Sequence, residues 1–466
     1  MMTLPSKLKE LEIPKEDPFR NDLLEMKQYA YTLKSIVGMY ADGGGVIAIN
    51  GDWGSGKTTF SRMWKQYLEN NGFKTLYFNA WETDYYKDPL TAIIGELKCI
   101  CKETEKFKKF CSTAGKIGVT ITKNVIFSLL NNYTGVGSEA VKDICDSAEN
   151  ALIDRIKDYE EEKSSIEDFK QSLSEYVADC GACPLVFIVD ELDRCNPNYA
   201  VKLLETVKHI FDVPNIVFVL SICRKELENS IRGFYGSDRI DATNYLRRFI
   251  DIQFDIPHPK SDKFCQMLIQ YYGFNDYFLE EPGGQNSLNE FYDMVALMFS
   301  VYDIDLRTWD RIFAHSRLAA IQLGSQAQLL MNLIFLLCFL RIIQPDFYSK
   351  IRSKEFSIQG LIDELENTLP RMLIVPDTET YYGRPRNHGV ILAITELLYI
   401  YDYSINGNNG PILSGKGTDT DLNLNFSVIE KDRVKTDIGW IERYMCLDID
   451  ILNFTHTVDL ASNFKD

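Results

Sequence analysis

One eight-residue segment constrains this chain more than any other. Gly51-Asp52-Trp53-Gly54-Ser55-Gly56-Lys57-Thr58 follows the apolar run Val46-Ile47-Ala48-Ile49. It leads into a stretch with Phe60, Met63, Trp64, Tyr67 and Leu68 at helical spacing. A buried strand, a glycine-rich turn and an amphipathic helix are thereby expected in immediate succession. The glycines let consecutive backbone N–H groups converge on one anion, and the helix N-terminus adds its partial positive charge. Lys57 can then reach the β- and γ-phosphates of a nucleotide, and the Thr58 hydroxyl can ligate Mg²⁺. Gly51, Asp52, Trp53, Gly54, Ser55, Gly56, Lys57, Thr58 and the adjoining Thr59 are the candidate nucleotide-binding residues.

A phosphate loop of this kind needs a carboxylate for its metal. Leu185-Val186-Phe187-Ile188-Val189, a strongly apolar run, ends in Asp190-Glu191. Asp190 is the candidate Mg²⁺ ligand beside Thr58. Glu191 is the candidate group that polarises the water attacking the γ-phosphate, which points to hydrolysis rather than transfer to a small molecule. Ser221, at the end of the apolar run Ile216–Leu220, is a candidate γ-phosphate sensor. No Asn-Lys-x-Asp guanine-reading sequence occurs, so ATP is favoured over GTP. The loop at Lys57 and the tip at Asp190 are expected to meet on adjacent strand ends.

Two further strands are expected at Thr75–Phe78 and around Ile250–Phe254, with helical patterns between the runs. Strands alternating with helices predict an α/β fold, a P-loop core with a parallel sheet flanked by helices. At about 150 residues per domain, 466 residues allow roughly two to four domains. The expected division is a flexible lead at 1–18, a nucleotide-binding core at 19–260 with a helical insertion near 100–180, a helical lid or partner region at 261–400, and a loop-rich segment at 401–466.

The net charge of −17 argues against broad nucleic-acid binding, which needs a basic footprint, though it leaves room for a local patch. The 11 cysteines, spread from Cys99 to Cys446 without a framework spacing, suggest reduced thiols in a cytoplasmic setting. The run Leu329–Ile343 is too short for a membrane span, which needs about 20 apolar residues, and is better read as a core helix. Ile117–Leu130 is a core or partner-packing helix, or an amphipathic one making peripheral membrane contact. Cys180-Gly181-Ala182-Cys183 lacks a second ligand pair and is read as structural, and Lys106–Phe110 as a solvated helix face.

Several of these segments together resemble the KAP family of P-loop NTPases, over about residues 20–320. Asp190-Glu191-Leu192-Asp193-Arg194-Cys195 is similar to that family's extended acidic motif, and Asn79-Ala80-Trp81-Glu82 to its Asn-Ala-Trp segment. Tyr245-Leu246-Arg247-Arg248-Phe249-Ile250 resembles its basic motif before the fifth strand, and Leu306-Arg307 with Arg311 its Leu-Arg segment. The resemblance implies an ATPase core with a helical lid, related to the AAA+ and STAND switch proteins. Many bacterial members are membrane-associated, and some act in phage exclusion or defence. Two departures stand out: no 20-residue apolar run lies between the two nucleotide motifs, and Cys223 stands where the family usually places Asp.

Charge builds on the γ-phosphate oxygens in the transition state, so a nearby cation accelerates hydrolysis. Arg248 is the candidate finger, in cis or from a neighbouring subunit, and Arg307 a candidate lid sensor. Arg247 and Arg194 follow, Arg194 with an alternative pairing to Asp193. Trp81 is read first as a core aromatic and second as part of the site's edge. The leading function is a Mg²⁺-dependent ATP-hydrolysing switch that drives an assembly, a homo-oligomer or a protein partner bound through the helical C-terminal region. A nucleotide-dependent scaffold with little turnover and a DNA-acting motor or loader are the alternatives.

Overall fold

Continuous apolar runs become strands covered on both faces, as parallel sheets require. In the computed structural model these are β1 (Gly45–Asn50), β2 (Lys74–Asn79), β3 (Leu185–Asp190), β4 (Ile216–Ile222) and β5 (Ile252–Asp255). They form one sheet in the order β2-β3-β4-β1-β5, with every neighbouring pair parallel. The structure describes residues 11–40, 43–86, 88–97, 105–106, 108–113, 163–178, 184–210, 212–257, 262–279, 284–324, 329–374, 380–381, 384–407, 412, 422, 424–444 and 450–463. The readings at Ile117–Leu130 and Cys180–Cys183, and most of the turn-rich stretch 404–421, lie outside these residues. The described residues fall into two compact units, Glu10–Pro257 and His258–Asp466.

Side chains alternate across the sheet and feed two separate cores. Ile47 and Ile49 of β1, Val186 and Ile188 of β3, and Val217 and Val219 of β4 pack with α1 (Lys27–Met39) and α2 (Lys57–Asn70). Val46, Ala48, Leu185, Phe187, Val189, Phe218 and Leu220 pack on the other face. There they meet α3 (Pro89–Leu97), α4 (Pro197–Ile210) and α5 (Arg224–Tyr235). Phe187 stacks on Phe218 with ring centroids 5.1 Å apart at the middle of this second core.

The chain leaves β1 for the far edge and returns strand by strand, passing to the other side of β1 only for β5. The strand order therefore reverses beside β1, where α/β sheets hold their ligands at the carboxyl ends of the strands. One expectation is corrected here. β1 and β3 are not neighbours; β4 runs between them, with Asn50 paired to Ile222 and Asp190 to Ser221.

The second unit is helical. Its framework includes α6 (Leu306–Leu323), α7 (Met331–Ile343), α8 (Ile358–Thr368), α9 (His388–Asn406), α10 (Lys431–Tyr444) and α11 (Ile451–Asn463). Every residue from Met331 to Leu340 is buried, so the apolar run is a core helix. Among the described residues no helix is long and apolar enough to cross a membrane. The stretch expected to be loop-rich carries α10 and α11. The Asp459 carboxylate on α11 receives Arg341 at 2.8 Å and Arg352 at 2.9 Å, and the Tyr348 hydroxyl donates to it at 3.2 Å.

Candidate functional site

The loop after β1 turns tightly because glycine permits it. Gly54 and Gly56 adopt φ values of 79° and 91°, and Gly56 caps the start of α2. At Gly51 a β-carbon would lie 2.7 Å from the Ser55 hydroxyl, so any larger residue there would turn that hydroxyl out of the cradle. The helix N-terminus with its free N–H groups follows at once. Lys57 is 8% exposed, and its ammonium donates to the carbonyls of Gly51 at 2.6 Å and Asp52 at 2.8 Å. Burial lowers its pKa, and the negative charges of Asp193 and Asp190 partly offset that. Trp53 does not join the core: its indole N–H donates to Asp193 at 2.5 Å and its ring stays exposed.

Asp190 ends β3 at 1% exposure, on the same sheet face as Val186 and Ile188 and therefore on the α2 side. One of its oxygens accepts from the Glu191 amide at 2.9 Å, the other from the Tyr77 hydroxyl at 2.6 Å. Burial first, and the Asp190 charge second, raise the Tyr77 phenol far above its ordinary value, so it stays a donor. Ser221 faces the same side from β4, between the strands that carry Lys57 and Asp190. Its hydroxyl is wholly buried and, among the described residues, engages no partner; the same holds for Ser55.

Glu191 takes a left-handed backbone conformation, φ 60° and ψ 25°, which is uncommon for a residue with a side chain and gathers at functional sites. Its carboxylate pairs with Arg194 at 3.0 Å and accepts from the Asn79 side chain at 3.1 Å. The Arg194 guanidinium also lies 5.6 Å from the centroid of the Trp81 ring. Arg194 thus pairs with Glu191, not Asp193. Trp81 is 50% exposed, which corrects its reading as a core aromatic. Cys223, where the family usually has Asp, is buried with its Sγ 3.9 Å from Asp52, and burial pushes its thiol up.

The remaining candidates are placed elsewhere. Arg248 is exposed and precedes β5, next to Asp251, whose carboxylate accepts from the Val46 amide at the start of β1 at 2.8 Å. The phosphate loop follows the other end of β1, roughly 16 Å away along the strand. Within one chain Arg248 therefore lies toward the opposite strand end from the loop. Arg307 is exposed in the first turn of α6, in the helical unit, where its amide donates to the capping Asp305 carboxylate at 3.1 Å. Thr58 and Thr59 lie half-buried in the first turn of α2. Sequence reasoning missed Tyr77; the signal was a phenol two residues before Asn79 on the strand that pairs with β3.

The donors at this edge suit a phosphate and a hard cation. Two orphaned hydroxyls, a buried carboxylate and the Thr58 hydroxyl supply oxygen, and the loop supplies N–H groups and an ammonium. Among the described residues no cluster of three or more His, Cys, Asp or Glu forms a protein-only metal cage.

The model of the KAP family P-loop domain matches residues 25–317. An uncharacterized protein of Methanocaldococcus jannaschii is 29% identical over 176 residues, which cover 31% of this chain and 88% of that protein. Among solved structures, the Aeropyrum pernix ORC2 protein in its ADPNP–ADP complexes has a TM-score of 0.33 at 13% identity, covering 94% of this chain and 93% of that one. Drosophila ORC bound to poly(dA/dT) DNA and Cdc6 has a TM-score of 0.28 at 13% identity, covering 100% of this chain and 69% of that one.

Proposed function

We propose that this chain, which belongs to the KAP family of P-loop NTPases, hydrolyses ATP in a Mg²⁺-dependent reaction and works as a molecular switch. The observation that carries the reading is the convergence of Lys57, Ser55, Ser221 and Asp190 on one face at the carboxyl edge of the sheet, with Glu191 beside them. The loop amides and Lys57 bind and orient the β- and γ-phosphates. Thr58 and Asp190 would hold Mg²⁺, which when bound neutralises charge developing on the phosphate oxygens. Ser221 donates to the γ-phosphate. Glu191 takes the proton of the attacking water at its carboxylate once it leaves Asn79 and Arg194.

The helical region supplies the lid, with Arg307 sensing nucleotide and a protein partner bound through the C-terminal helices. Arg248 serves a neighbouring subunit of a homo-oligomer. A cytoplasmic protein with peripheral membrane contact, acting in bacterial anti-phage defence, is the setting that the family likeness suggests.

Phosphate release by the wild type and by Glu191→Gln tests the reaction. The expected result is a loss on the order of 10²–10⁴-fold with Mg·ATP binding retained. One observation favours the scaffold reading: Asn79 and Arg194 already occupy the Glu191 carboxylate. Wild-type turnover no faster than the variant's would select it. A DNA-acting motor has a net charge of −17 against it; ATPase activity stimulated by DNA would restore it.

A further inference from the structure

The two side chains assigned to the metal sit on different elements, Thr58 on α2 and Asp190 at the tip of β3. Two residues, Arg62 and Tyr77, connect them without passing through the metal. Arg62 lies one helical turn beyond Thr58, at i+4, so both share one face of α2. The Arg62 guanidinium stands 5.6 Å from the centroid of the Tyr77 ring. Tyr77 pairs with Ile188 in the sheet register, so its side chain projects on the same face as Asp190, two residues further along the neighbouring strand. That diagonal is within reach of an aromatic side chain, and the hydroxyl closes it at 2.6 Å.

A carboxylate is otherwise free to turn about its last torsion, which is broad. At 1% exposure Asp190 has almost no water to hold it, so protein donors set its orientation. The Glu191 amide fixes one oxygen and Tyr77 the other. Each oxygen keeps a lone pair for a cation.

Resting on the Mg²⁺–nucleotide reading above, we propose that Tyr77 is a positioning residue. It aims the Asp190 carboxylate at the metal and, through Arg62, ties that aim to the helix that carries Thr58. Partners of metal ligands typically govern metal affinity by about 10–100-fold.

The test is calorimetric titration of ADP into the full chain at a series of Mg²⁺ concentrations, with melting temperature as a folding control. For Tyr77→Phe, which keeps the ring beside Arg62, the Mg²⁺ concentration giving half of the full Mg²⁺ effect on ADP affinity should rise by about 10-fold. ADP affinity without Mg²⁺ and the melting temperature should stay at wild-type values, which a merely structural tyrosine would not produce. Arg62→Gln should shift the Mg²⁺ requirement in the same direction by less, and carries the test should Tyr77→Phe fold poorly. An unchanged Mg²⁺ requirement in a folded variant overturns the role of Tyr77 while leaving the site intact. A wild type whose ADP binding ignores Mg²⁺ overturns the Mg²⁺ reading itself.

Discussion

In the sheet unit, Ser55 and Ser221 are buried with hydroxyls that no group among the described residues engages, and Lys57 donates to carbonyls of its own loop. In the helical unit, Glu366 accepts from three successive amides, Ser427, Val428 and Ile429, at 2.8–3.0 Å. Asp402, wholly buried, accepts from the Ile412 amide and the Asn406 side chain. Asp459 gathers two arginines and a tyrosine. Burying a polar group costs free energy unless it is paired. Where the chain supplies the partner, the group holds the chain together. On the proposed function, where the chain withholds it at the mouth of a loop suited to anions, the partner is a ligand. The contrast predicts which substitutions damage function without stability and which do the reverse.

The sharpest break comes at Lys57. Lys57→Ala removes the buried cation that the proposed function assigns to the phosphates, and truncating one partner of such a charge pair costs about 2–5 kcal/mol. Nucleotide affinity should fall on the order of 100-fold, read by calorimetry. Melting temperature should hold or rise, because burial already disfavours the charged amine. A melting temperature that drops by many degrees would mean that the lysine braces the loop, and the contrast would fail on the sheet side.

Glu366→Ala probes the other side. It strips an acceptor from three amides, of which Ile429 is buried. Bonds to charged groups contribute about 1.5–3 kcal/mol each, and exposed donors recover water, so a net loss of about 3 kcal/mol is expected in denaturant unfolding. Glu366→Gln keeps one acceptor oxygen and should lose about half as much. Nucleotide affinity should stay within about twofold of wild type, since affinity follows the groups that touch the ligand. A collapse of affinity with Glu366→Ala would show that the two units do not separate function from stability as the contrast requires.

How far this was legible in sequence follows the same division. Strands buried on both faces leave continuous apolar runs, so all five were expected within a few residues of their places, from Val46–Ile49 to Ile250–Phe254. The phosphate loop was legible because its glycines, lysine and threonine work within one local turn. The order of the strands was not: periodicity says which residues are buried, not which strand lies beside which. β4 therefore stood unseen between Lys57 and Asp190. Tyr77 was missed for that reason, since its role exists only once β2 and β3 are in register. Arg248 was legible as a cation before a strand, but the direction of β5 decides which end of the sheet it occupies. In the helical unit the apolar stripes were legible. The carboxylates that pin its segments were not, because an acid capping amides 60 residues away looks like any surface acid.

Glu396, which like the Asn332 Oδ1 stands without a hydrogen-bond partner among the described residues, departs from the pairing of the acids above and gives the smallest effect. It lies on α9 at 1% exposure, and among the described residues neither carboxylate oxygen has a hydrogen-bond partner of good geometry. Burial first and the Asp437 carboxylate second push it well above its ordinary value of 4.5, with the Leu333 backbone a partial offset. A carboxyl raised in the fold binds its proton more tightly there than in the unfolded chain. Its stabilising share is therefore complete below about 4.5 and is lost as pH climbs through the folded value. Glu396→Gln copies the protonated form and cannot lose it. The variant should match wild type near pH 4.5 and exceed it increasingly toward pH 8. The gain there should be on the order of 1 kcal/mol, or about 2–4 °C in a unit of this size. A gain independent of pH would show that the carboxyl binds its proton equally well in the folded and unfolded chain, so that burial does not shift it, and a loss at every pH would show that Glu396 has a partner like its neighbours, extending the contrast to every buried acid of the helical unit.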